Sequence, residues 1–223
     1  MITEQMICDA GLFPYTPSQL SEFPEVLYPY CGKGIGMWQY PNQFAPYINK
    51  VLENKIESYL EIGVAAGGTF TFTSKELIKN GCKSCFAVDV APVGTYDKCR
   101  GNPYNGKLAS FIKETPECAF YQGTSSQFFT QFRPYPIDFV LIDGDHSYAG
   151  VVKDWIMAVG RAKIIAFHDI VNEVTPGVSK LWHEVKNNRF YHCFEYVEQY
   201  GLSRNYLGMG LLIQKQIMSG GVF

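Results

Sequence analysis

Along the chain the spacing of apolar residues switches repeatedly between two and about 3.6, and the switches mark alternating strands and helices. Short apolar runs at 58–62, 84–90, 117–122, 136–143 and 162–168 read as strands; the fourth, with Ile137-Asp138-Phe139-Val140-Leu141-Ile142, is the strongest signal. Helical spacing predicts helices over 42–54, 69–80, 106–115, 127–132, 148–160 and 177–187. Phe44, Tyr47, Ile48, Val51 and Leu52 share one face of the first, and Val151, Val152, Trp155 and Val159 point inward from the fifth. Val178, Leu181, Trp182 and Val185 share a face of the sixth. Two strands, 191–197 and 208–214, close the chain with no clear helix between them. Strands that alternate with helices predict a doubly wound α/β fold with right-handed crossovers. The sheet is expected to have seven strands, mostly parallel, with the last pair adding an antiparallel edge strand.

Residues 1–41 do not join this alternation. Pro14, Pro17, Pro24 and Pro29 recur among aromatics, followed by Gly32, Gly34 and Gly36. Such a stretch cannot be a long helix or a central strand. It is expected to be an irregular arm, either a lid over a site or a segment packed on the domain of residues 42–223. The Gly32–Gly36 run is not a phosphate loop, because it lacks a preceding strand and a following Ser or Thr. The segment 91–105 reads as a loop.

Sheets of this kind bind ligands outside the carboxyl ends of their strands, and polar or acidic residues stand at all five. The first strand runs into Glu61, Gly63 and Gly67, in Ser58-Tyr59-Leu60-Glu61-Ile62-Gly63-Val64-Ala65-Ala66-Gly67-Gly68. The second ends at Asp89, the third at Gly123, Thr124 and Ser125, the fourth at Asp143, Asp145 and His146, the fifth at His168 and Asp169. A strand feeding a helix through a glycine-rich turn is a nucleotide-binding arrangement, and glycine lets a ligand approach the backbone closely. Asp89 is placed to accept both hydroxyls of a ribose. Thr124 and Ser125 would bond an adenine or solvate their own loop. Ala65 occupies the position where a dinucleotide site needs a middle glycine for its pyrophosphate. Glu61 is expected to bring negative charge near the turn, which suits a cationic sulfonium and ammonium better than a pyrophosphate. The pattern therefore favours S-adenosylmethionine over NAD.

Composition narrows the reading further. Charged residues are 18% and aromatics 15%, against a usual charged share of about 25%, which points to a large core and an aromatic cleft or interface. A net charge of −2 offers no basic face for nucleic acid. The seven cysteines include one close pair, Cys82 and Cys85, which falls on a strand and reads as core; reduced thiols are expected, hence a cytoplasmic protein. No signal peptide and no apolar run near about 18 residues is evident, so no membrane partner is expected. The aromatic content leaves room for a homo-oligomer.

The segment Glu61-x-Gly63-x-Ala65-x-Gly67 with Asp89 resembles the first motif and ribose acid of class I S-adenosylmethionine-dependent methyltransferases. Asp143-Gly144-Asp145-His146-Ser147-Tyr148 is similar to the metal-assisted small-molecule O-methyltransferases of the catechol and caffeoyl-coenzyme A type, and to the cephalosporin-hydroxylase and macrolide O-methyltransferase branch. Ile164-Ile165-Ala166-Phe167-His168-Asp169 matches the fifth-strand motif of that group. The resemblance, over about residues 43–214, implies a Rossmann-like methyltransferase sheet that binds cofactor through Glu61, Gly63, Gly67, Asp89, Thr124, Ser125 and Asp143. It further implies a divalent metal, Mg²⁺ or Mn²⁺, on Asp143, Asp169 and His168, the last being a departure from the family's pattern. His146 or His168 would be the catalytic base. The acceptor would be a small hydroxylated molecule or a glycan, selected by residues 1–40 (Tyr30, Trp38 and Tyr40 among them), 92–106 and 171–177. An NAD-linked oxidoreductase and a non-catalytic cofactor-binding homologue are the competing readings.

Overall fold

A computed structural model describes residues 1–93, 103–104, 106–132 and 136–215. The expected alternation is present: β1 (Ser58–Ile62), α4 (Gly68–Lys79), β2 (Ser84–Asp89), α5 (Lys107–Glu114), β3 (Cys118–Gln122), α6 (Ser125–Gln131), β4 (Ile137–Ile142), α7 (Tyr148–Ala158), β5 (Ala162–His168) and α8 (Pro176–Val185), then β6 (Tyr191–Tyr196) and β7 (Met209–Gln214). Helix α3 (Pro41–Leu52) precedes β1. One seven-stranded sheet has the order β3-β2-β1-β4-β5-β7-β6. Strands β1 to β5 pair in parallel, and β7 pairs antiparallel with both β5 and β6. The antiparallel strand is thus second from the edge, because the crossover through α8 carries β6 one place beyond it.

Period-two alternation gives the sheet two buried faces. Tyr59, Phe139 and Leu141 pack on one side with Phe44, Tyr47 and Phe70; Leu60, Val140 and Phe167 pack on the other with Phe128 and Trp182. Cys82, Cys85 and Cys118 are free thiols buried in the first of these layers. Among the described residues no helix is long and apolar enough to cross a membrane.

The arm is more regular than its prolines suggest. It holds α1 (Glu4–Ala10), the single turn α2 (Pro17–Leu20) and a 3-10 helix at Glu25–Tyr30. Thr3 caps α1, Thr16 and Gln19 form a capping box on α2, and Pro17 stands in its first turn, where no amide hydrogen is needed. Proline here limits helix length rather than forbidding helix. Leu12, Phe23 and Met37 are buried and extend the core on the α3 side of the sheet. Gly68 lies so close to the arm that an added Cβ would stand 2.2 Å from the Gly36 carbonyl oxygen. The backbone contact brings the arm against the start of α4, where the glycine-rich turn ends.

Candidate active site

A cavity of about 1140 Å³ opens over the carboxyl ends of β1, β2, β4 and β5. The turn after β1, Asp89, Thr124, Asp143 and His168 line it, together with Phe13, Tyr15 and Trp38 of the arm. Pockets for a drug-sized ligand run about 300–1,000 Å³, so the space suits a cofactor and a small acceptor together.

The glycine-rich turn is shaped by its neighbours. Gly63 has φ of 81°, and a Cβ there would meet the Asp143 carbonyl oxygen at 2.2 Å. The end of β4 therefore fits against β1 only with glycine at this position. Ala65 takes a left-handed φ of 45°. Asp89 holds the turn from below: its Oδ2 accepts from the Val64 and Ala65 amides at 3.0 and 3.2 Å, and Oδ1 accepts from Ala91 at 2.9 Å. The sequence favoured a ribose for Asp89 over a role in its loop; that the side chain closes on the distant turn leaves no local signal.

Glu61, expected to bring negative charge near the turn, lies on β1 and lines the cavity. It is buried and accepts a hydrogen bond from the Tyr59 hydroxyl. Burial pushes its carboxyl well above the ordinary range, and the nearby Asp143 carboxylate adds to the rise. Further acidic side chains bring negative charge to the cavity.

That negative charge is found at the ends of β4 and β5. His146 Nε2 lies 3.2 Å from Asp143 Oδ1 and 3.3 Å from Asp169 Oδ2. His168 Nδ1 lies 3.1 Å from Asp143 Oδ1 and 3.4 Å from Asp169 Oδ1. Ligand atoms of Asp143, His146 and Asp169 all fall within 4.8 Å of one another. Asp169 sits at φ 65°, an uncommon region for a non-glycine residue and a frequent feature of functional sites. The Asn172 amide holds its Oδ1 at 2.9 Å. Burial would raise the Asp143 carboxyl, but the imidazoles of His168 and His146 outweigh it and hold it below the usual carboxylate range. His146 is raised by its hydrogen bond to Asp143. For His168, burial disfavours the imidazolium, yet the Asp143 and Asp169 carboxylates prevail and raise it.

Asp143, His146 and Asp169 offer ligand atoms of the kinds that can hold a divalent cation. His168 is buried, and its Nδ1 faces two carboxylates at ion-pair distance without the angles of a hydrogen bond. A buried nitrogen left that way calls for an explanation, and a mixed oxygen and imidazole set suits Mn²⁺, Fe²⁺ or Zn²⁺ better than Ca²⁺. The structure brings together all four residues singled out there by sequence: Asp143, His146, His168 and Asp169.

Other candidates have structural duties. Thr124 is the N-cap of α6, so Ser125 lies inside that helix rather than in a loop. The Ser125 hydroxyl donates to Asp154 Oδ1 at 2.5 Å in a buried pair. Asp145 accepts from the Ser147 amide at 2.9 Å, at the start of α7. Trp38 lines the cavity, but Tyr40 belongs to the core, its hydroxyl donating to the Glu22 carbonyl. Tyr30 packs on the core from the arm. Asn172, Val174 and Thr175 of the 171–177 segment line the cavity, whereas most of the 92–106 loop lies outside the described residues. Gln39, buried beside His168, was not foreseen; a lone glutamine between two aromatics gives no sequence cue.

Residues 60–170 match the family model described as "Methyltransferase domain". Among solved structures, an O-methyltransferase from Bacillus cereus in complex with SAH is 13% identical, with 95% of this chain and 96% of that one covered and a TM-score of 0.58. The O-methyltransferase TomG of Streptomyces achromogenes, involved in tomaymycin synthesis and solved with SAM, is 11% identical over 93% of this chain and 94% of that one, TM-score 0.58. An rRNA methylase from Streptococcus thermophilus is 10% identical over 81% and 100%, TM-score 0.58. No curated protein matches the chain. At these identities the structural likeness shows the fold, a Rossmann-like methyltransferase sheet.

Proposed function

We propose that the chain is a class I S-adenosylmethionine-dependent methyltransferase that methylates a hydroxyl oxygen of a small hydroxylated molecule or sugar with help from a divalent cation; its residues 60–170 match a methyltransferase-domain model. The observation that carries this reading is the convergence of Asp143, His146 and Asp169 beside the glycine-rich turn. S-adenosylmethionine supplies an electrophilic methyl group on a sulfonium, and a divalent cation supplies Lewis-acid polarisation of the acceptor hydroxyl.

The chain's own residues do the rest. The turn at 63–68 and Asp89 would orient the cofactor, while the carboxylates of Asp143 and Asp169, with His168 Nδ1 beside them, would hold the cation. Alignment of acceptor and donor supplies much of the acceleration in an in-line displacement. His146, 40% exposed, is the open member of the cluster; its Nε2–H is turned to the Asp143 carboxylate, so Nδ1 is the ring nitrogen free to take the acceptor's proton. The carboxylates of Asp143 and Asp169 beside Nε2 stabilise the imidazolium that results. Phe13, Tyr15 and Trp38 form the wall against which the acceptor packs. The NAD-linked alternative lacks comparable support, since the matching family model is a methyltransferase domain and Ala65 stands where a pyrophosphate needs glycine.

The test is transfer of labelled methyl from S-adenosylmethionine to a panel of phenols, polyols and sugars, with Mn²⁺ or Mg²⁺ and after chelation. The expected result is labelled hydroxyl oxygen and a rate that collapses on chelation. Rates indifferent to chelation would remove the cation, and label found only on RNA would remove the small acceptor.

A further inference from the structure

Gln39 belongs to the arm, yet its side chain is buried beneath the cavity, far in sequence from everything it touches. Its Nε2 donates to Thr69 Oγ1 at 3.3 Å, and its Oε1 lies 3.2 Å from His168 Nε2. Held this way, the amide offers His168 only an acceptor, so His168 Nε2 carries hydrogen. The second ring nitrogen, Nδ1, is then the one turned to Asp143 Oδ1 and Asp169 Oδ1, at 3.1 and 3.4 Å. A histidine that binds a metal through one nitrogen donates its other N–H to an oxygen, which fixes the tautomer and the plane of the ring. Gln39 Oε1 stands where that oxygen is needed. Thr69 lies in the first turn of α4, directly after the glycine-rich turn, so the same amide ties the cofactor side of the cavity to the acid cluster.

We propose that Gln39 is a positioning residue that accepts from His168 Nε2 and thereby keeps His168 Nδ1 directed at Asp143 and Asp169 as a ligand for a divalent cation. This role rests on the metal-assisted reading of the function given above. Nothing in residues 38–40 of the sequence announces it; only the fold brings the arm to the end of β5. It gives the arm a part in the chemistry beyond covering the site.

The experiment compares the full chain with Gln39→Leu and Gln39→Glu. Mn²⁺ affinity is read from the electron paramagnetic resonance of the free ion, and the protonated nitrogen of His168 from ¹⁵N imidazole shifts without metal. Loss of such an oriented partner typically weakens metal binding about 10–100-fold. Gln39→Leu should therefore bind Mn²⁺ about 10–100-fold more weakly. Gln39→Glu, which keeps an oxygen for Nε2–H, should recover most of the affinity. The wild-type ring should be protonated at Nε2. Should Gln39→Leu fail to fold by circular dichroism, Gln39→Met keeps the length, removes the amide and takes its place. Wild-type Mn²⁺ affinity in the leucine or methionine variant would overturn the role of Gln39 and leave the metal reading standing. A wild-type His168 protonated only at Nδ1 would overturn it equally. A wild-type protein that binds no Mn²⁺ would instead overturn the metal reading, and this role with it.

Discussion

Replacing Asp89 by alanine separates two jobs that one carboxylate performs. The side chain accepts three backbone hydrogen bonds, from Val64, Ala65 and Ala91, at 3.0, 3.2 and 2.9 Å. A hydrogen bond to a charged group contributes about 1.5–3 kcal/mol, but only while water cannot substitute for the lost partner. Ala65 is exposed and Ala91 half-buried, so water replaces the acceptor there; Val64 is buried, and its amide would be left unpaired. The expected cost of Asp89→Ala is therefore that of one sheltered bond, about 1.5–3 kcal/mol. For a domain of this size, about 2–4 °C of melting temperature corresponds to each kcal/mol, so the fall should be about 3–12 °C. Asp89→Asn keeps one carbonyl oxygen, enough for either Val64 and Ala65 or Ala91, and should fall between. Thermal unfolding by circular dichroism, with and without S-adenosylmethionine, reads both quantities. Both variants should also bind the cofactor more weakly, because the turn loses its shape. An alanine variant that melts with the wild type would refute the anchoring role, and weakened cofactor binding alone would assign Asp89 to the ligand.

Three further outcomes follow from the same geometry. Glu61 has a folded-state pKa above its unfolded value, so the native protein binds more protons there and stability is lost as pH rises above the ordinary carboxyl range; Glu61→Gln, still able to accept from Tyr59, should flatten that loss and melt higher than wild type at neutral and alkaline pH. Ser125→Ala leaves the buried Asp154 carboxyl without its donor and should cost about 1–3 kcal/mol, read as a lower melting temperature; an unchanged melt with weakened cofactor binding would return Ser125 to the adenine. Gly63→Ala combines a left-handed backbone with a Cβ placed 2.2 Å from the Asp143 carbonyl oxygen, and should abolish cofactor binding or folding, whereas normal binding in calorimetry would show that β4 yields at that point.

Much of this was legible in the chain because it is local. Period changes placed all seven strands, and β1 and β5 have the expected limits to the residue. Since parallel sheets present their ligands at strand ends, Asp143, His146, His168 and Asp169 could be gathered before their distances were known. What escaped depends on contacts between distant segments. Burial is what pushes the Glu61 carboxyl up, against the hydrogen bond from Tyr59, and a strand pattern does not report it. Gln39 reaches His168 across 129 residues of sequence, and Asp89 closes on a turn 24 residues before it. Short helices within the arm were hidden by its prolines; Pro17 and Pro24 stand at helix starts, where they do no harm, and Pro29 lies within the short 3-10 helix.

The central claim is that the turn at 63–68 and the acid cluster together form a site for S-adenosylmethionine. Isothermal calorimetry of the full chain with S-adenosylmethionine tests it directly, repeated with Gly68→Val, whose side chain would collide with the Gly36 carbonyl and shut the turn against the arm. The account predicts one cofactor bound per chain by the wild type and none by a folded Gly68→Val variant. Absence of binding heat for the wild type at millimolar cofactor would contradict it.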